Sequence, residues 1–180
     1  MRKNPLRKSI RPKPSDLIAE DSGRFLEELQ KQADRGVPIV AAAFLEQTLQ
    51  FMLRKSMVAN KKEFDELVRV SKFSHLSRLA FLMGHISACD YSDLRIINDI
   101  RNYAAHSHSE FSFNASEVRD CCRGLHAAQG VRHGAVNISA RSEFISAVAM
   151  LTSILIVRGL SATHAVVPRD WESVVAAVVE

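Results

Sequence analysis

Apolar side chains recur along this chain at three- and four-residue intervals, and almost nowhere do they alternate with polar ones. A period near 3.6 residues is that of helices with one face turned inward, whereas alternation would mark half-buried strands. Ser15 is placed to cap a first helix over 16–35, with Phe25, Leu26 and Leu29 on one side and Gly36 to stop it. Pro38 suits the first turn of a second helix running to about Met57. There Leu45, Leu49, Met52 and Leu53 recur at i, i+4, i+7 and i+8. A short helix fits 62–70. Ser74 can cap a fourth, carrying Leu76, Leu79, Phe81, Leu82 and Met83 and ending near Gly84.

Asp90 is read as opening a fifth helix to about Ala105, with Leu94, Ile97, Ile100 and Ala104 inward. Residues 107–113 read as a polar loop. Asn114 followed by Glu117 has the spacing of a capping box for a sixth helix to about Ala128. A loop is expected over 129–140 and a long apolar helix over 142–158, with Gly159 placed to end it. Phe144, Val148, Leu151 and Leu155 form its stripe, read as core with a dimer seam as the alternative. A last short helix is expected over 171–179, where Trp171 would help cover that stripe.

Composition agrees with long helices. Only 7 glycines and 5 prolines stand in 180 residues, too few for the frequent turns of a strand-rich domain. The fold class is therefore all-α: a single-domain multi-helix bundle over 15–180, preceded by a flexible basic arm over 1–14. The arm accounts for the net charge of +4. Arg2, Lys3, Arg7, Lys8, Arg11 and Lys13 lie there with no acid, so the rest of the chain is close to neutral. Dedicated DNA-binding folds usually carry positive charge on the fold itself. These six residues are thus a weak nucleic-acid contact, without aromatics for base stacking.

Cys89, Cys121 and Cys122 are odd in number and form no C-x-x-C pair, which suits a reducing cytoplasm. Cys122 and His126 at i, i+4 are too few for a zinc site. No cofactor and no metal are expected. The most apolar run, Phe144 to Val157, is read as too short for a bilayer, so no membrane partner is expected.

The residues with candidate chemistry lie in "RNYAAH", Arg101 to His106. Arginine offers a forked permanent charge to phosphate, and histidine moves protons near neutral pH. Asn102 can orient either group. Five residues along a helix turn through about 500°, leaving Arg101 and His106 roughly 140° apart. They meet if the helix loosens near Ala105, or if a two-fold dimer supplies a second copy. Glu46 and His108 are possible helpers. Equally, Arg101 and His106 suit a last helical turn, where cations meet the dipole and close off carbonyls. The run His106, Ser107, His108 reads as a polar turn rather than a metal clip.

The stretch around this motif resembles the mannitol operon repressor (MltR-type) family. The resemblance rests on Leu79, Leu82, Gly84, Ile86, Tyr91, Asp93, Leu94, Arg101, Asn102, Ala105 and His106, with the pair Leu45 and Glu46 upstream. It covers roughly residues 37–125. It implies an all-helical fold, repression of a sugar or sugar-alcohol operon, and action through a regulatory protein partner, since the family lacks an evident helix-turn-helix. In this chain a helix-turn-helix over 76–100 would press Asp90, Asp93 and Asp99 towards phosphates.

"RNYAAH" also resembles the R-x4–6-H signature of HEPN domains, many of them metal-independent ribonucleases. That resemblance implies the alternative function, an endoribonuclease with Arg101, Asn102 and His106 at a homodimer interface.

Overall fold

The computed structural model describes residues 19–107, 110–134 and 138–166. The arm, His108 and the expected helix over 171–179 lie outside the described residues. Within them the chain is all-helical, as its periodicity implies, and no strand is present.

Helix α1 (Ala19–Lys31) buries Phe25 and Leu29. It stops before Gly36, because the Arg141 guanidinium donates to the carbonyls of Gln30 and Gln32 and pairs with Asp34. A distant cation thus satisfies carbonyls that have no partner within the helix. Gly36, expected as a stop, instead opens α2 (Gly36–Ser56). Pro38 lies in that first turn, and the expected stripe of Leu45, Leu49, Met52 and Leu53 is buried.

Helix α3 (Lys61–Val70) is capped by the Asn60 side chain, which accepts from the Glu63 amide at 3.3 Å. Helix α4 (Phe73–Leu82) begins after Lys72, and Ser74 is not its cap. Gly84, at φ 72°, ends it through His85 N–H to Ala80 C=O and Gly84 N–H to Phe81 C=O bonds. That is a Schellman closure, and its left-handed residue favours glycine.

Helix α5 (Ala88–His106) starts earlier than Asp90 suggests. Ser87 is the cap, and Asp90 is its partner three residues on. The Ser87 hydroxyl accepts from the Asp90 amide at 3.1 Å, and the carboxylate accepts from the Ser87 amide at 2.9 Å. Leu94, Ile97, Ile100 and Ala104 face inward as expected.

Of the expected loop over 107–113, the described residues 107 and 110–113 are non-helical, but its phenylalanines are core: Phe111 stacks edge-on to Phe113, and Phe113 meets Phe144. Helix α6 (Ser116–Arg123) has Ala115 at its cap position, not Asn114, and it ends at Arg123 rather than near Ala128. The cause is Asp93, a fully buried carboxylate of α5. It accepts from the backbone amides of His126 and Ala127 and pairs with the His126 ring at 2.9 Å. Those amides are thereby diverted from α6 into a 3-10 turn (His126–Ala128). A short helix α7 (Gln129–Gly134) replaces part of the expected loop over 129–140.

Helix α8 (Ala140–Ser161) is capped by Ser139 and runs through Gly159. Gly159 does not stop the helix; it admits α2. A Cβ there would lie 2.6 Å from Phe51 Cε1 and 3.2 Å from Met52 Cα. The stripe Phe144, Val148, Leu151 and Leu155 is buried in the core, leaving Met150, Val157 and Leu160 exposed on the outer face. With 22 residues, α8 is longer than its apolar run implies. By length and composition alone, α2 and α8 could each cross a membrane, a test that core helices of globular bundles also pass. Here the two pack along each other, α5 and α4 lie against α2, and α4 also lies against α5.

Candidate functional site

The mutual packing of α2, α4 and α5 leaves a cavity of about 590 Å³. One face of α2 supplies Ile39, Ala42, Ala43 and Glu46. These stand at i, i+3, i+4 and i+7, and the two alanines keep the space open. The start of α4 supplies Lys72, Phe73 and Ser74, and α5 supplies Asn98, Arg101, Asn102 and His106. Four of the five residues nominated for chemistry therefore border one space: Glu46, Arg101, Asn102 and His106. His108 lies outside the described residues, as do Arg2, Lys3, Arg7, Lys8, Arg11 and Lys13.

Helix α5 is unbroken to His106, so Arg101 and His106 are not joined by a loosened turn. Asn98, Asn102 and His106 follow one another at i, i+4 and i+8, a polar stripe on the side away from Ile97 and Ile100. Arg101 stands beside that stripe and folds towards it, its guanidinium donating to Asn102 Oδ1 at 2.9 Å. The closing of α5 is not left to His106. Arg35 donates to the Ser107 carbonyl at 3.0 Å. Among the described residues, the side chains of Lys72, Asn98 and His106 have no hydrogen-bond or ion-pair partner.

Glu46 is half-buried, and loss of water raises its carboxyl above the usual carboxylate value, partly offset by the Arg101 charge. Asp93, by contrast, is structural, spent on the 3-10 turn. Cys122 is buried, and loss of water pushes its thiol up to about 12, with the Glu143 charge adding to the effect and Arg132 opposing it. It is a core residue rather than a ligand. Among the described residues no group of three or more His, Cys, Asp or Glu side chains is placed to hold a metal ion.

Lys72, Ser74 and Asn98 are site residues that the sequence motifs do not nominate. The Asn98–Asn102–His106 spacing is a readable signal of a polar helix face. Lys72 and Ser74 carry none, because their position depends on how α4 meets α2.

These features define a helical bundle with a polar, mixed-charge recess between three helices. The same fold is found in the X-ray structure of the MtlR-HPr complex from Escherichia coli. The match has a TM-score of 0.63 and 16% sequence identity, and it covers 76% of this chain and 99% of that one. At that identity the likeness establishes the fold. No protein-family model matches the chain, and no curated protein matches it.

Proposed function

We propose that this protein is a regulatory binding module, a repressor-type regulator of a sugar or sugar-alcohol operon that acts through protein contacts. The observation that carries this reading is the fold shared with the chain of the MtlR-HPr complex over nearly all of that chain's length. That neighbour is one protein held with another. The MltR-type resemblance over residues 37–125 supports the same reading independently. The reading includes a cytoplasmic location and a homodimer, for which the exposed Met150, Val157 and Leu160 of α8 offer an apolar seam. Calorimetric titration with HPr from the same organism tests it. Saturable binding supports the reading, and no heat at any ratio, together with no partner in cross-linked cells, removes it.

A second reading is favoured by one specific observation. Arg101, Asn102 and His106 border a single cavity with Glu46, as a metal-independent endoribonuclease would require. Against it, His106 lies about 140° around the helix from Arg101. This reading predicts RNA cleavage without metal that His106→Ala abolishes. Any direct DNA contact would fall to the arm, and deleting residues 1–14 would then weaken binding and flatten its salt dependence.

A further inference from the structure

We propose that the cavity between α2, α4 and α5 binds a small polyhydroxylated phosphate, such as a sugar or sugar-alcohol phosphomonoester. Its volume of about 590 Å³ is within the range of small-ligand sites. Its charges are unequal: Lys72 and Arg101 are two basic side chains, and Glu46 is the single carboxylate. A net positive recess selects an anion. The backbone amides opening α4 add to this, since no side chain caps them and no acid stands in that first turn. Arg101 supplies a forked donor suited to phosphate oxygens, already oriented by its bond to Asn102.

The remaining groups are those that read hydroxyls. Asn98 and Asn102 each carry a donor and an acceptor, Ser74 carries both on one oxygen, and Glu46 accepts. A sugar or polyol hydroxyl likewise donates and accepts, so this set satisfies several at once. Ile39, Ala42, Ala43 and Phe73 present carbon to the C–H faces of such a ligand. A bare inorganic anion would leave the carboxamides and Glu46 unanswered. A neutral polyol would leave Lys72 and Arg101 unanswered.

The inference rests on the regulatory reading only for what the ligand is used for, as an effector; whether it binds is independent of any partner. Calorimetric titration of the full chain with glucose 6-phosphate, sorbitol 6-phosphate, sorbitol and inorganic phosphate tests it. One of the two organic phosphates is expected to bind at least about tenfold more tightly than sorbitol or inorganic phosphate. Arg101→Ala and, separately, Lys72→Ala are each expected to weaken that binding by about tenfold or more while the melting temperature stays put.

Absence of binding by both organic phosphates overturns the proposal. So does equal binding of inorganic phosphate, which would make the recess an anion site only, or binding that survives both substitutions. RNA cleavage that depends on His106 also overturns it, in favour of the nuclease. Binding of the organic phosphate in a protein that takes no protein partner would keep this site and discard the regulatory reading.

Discussion

The Arg101 guanidinium donates to the Asn102 amide oxygen across 2.9 Å, inside a cavity that His106 also borders. The bond holds a long, rotamer-rich side chain in one direction, where its charge acts on the carboxylate of Glu46 on α2. The Asn102→Ala substitution is expected to release Arg101 without unfolding the chain, because both residues are on the α5 surface. Stability should change by no more than about 0.5 kcal/mol. Thermal melts compared with anion titrations check this: affinity should fall while the melting temperature holds.

At Gly159, α8 packs directly against Phe51 and Met52 of α2. A methyl group there would lie 2.6 Å from Phe51 Cε1, with the Met52 backbone behind it at 3.2 Å. Although alanine favours a helix more than glycine does, the Gly159→Ala substitution is expected to destabilise the protein by about 1–3 kcal/mol through overpacking. Urea denaturation with an unchanged m-value measures it.

Asp90 closes the capping box of α5 and accepts from Arg158 of α8 at 2.8 Å. Burial alone raises its carboxyl, but the hydrogen bonds from Ser87 and Arg158 and the Arg158 charge outweigh it, so the group sits below the usual aspartate value. A depressed carboxylate stabilises the fold above its unfolded value of about 3.8 and loses that contribution as pH falls through the lowered one. The Asp90→Asn substitution is expected to cost about 1–2 kcal/mol at pH 7 and progressively less towards pH 3. Chemical denaturation at both pH values checks the slope.

Glu46 has the opposite sign. Its raised carboxyl favours the protonated form in the folded state, so its charge opposes folding above that value and not below 4.5. The Glu46→Gln substitution is expected to raise the melting temperature at pH 7.5. The gain should shrink as pH falls towards 4.5, measured by melts across that range.

The helical periodicity is legible because Leu45, Leu49, Met52, Leu94, Ile97 and Ile100 repeat on faces that the bundle buries. Element ends are less so, for reasons that lie far off in sequence. Arg141 ends α1 from across the fold, buried Asp93 cuts α6 short, and Gly159 is required by Phe51 rather than by a helix terminus. Spacing points to Asp90 as the start of α5, whereas Ser87 is the cap and Asp90 its partner. At the site, the local motif yields Arg101, Asn102 and His106, and the Leu-Glu pair yields Glu46. Lys72 and Ser74 enter only through the meeting of three helices, which no spacing along the chain encodes.

That this bundle binds rather than cleaves is tested most directly by incubating the purified protein with single-stranded RNA in the presence of a chelator, alongside its His106→Ala variant. The RNA is expected to remain intact with native protein and variant alike over hours. Fragments formed by the native protein and absent with the variant, at equal folding by circular dichroism, would contradict the account.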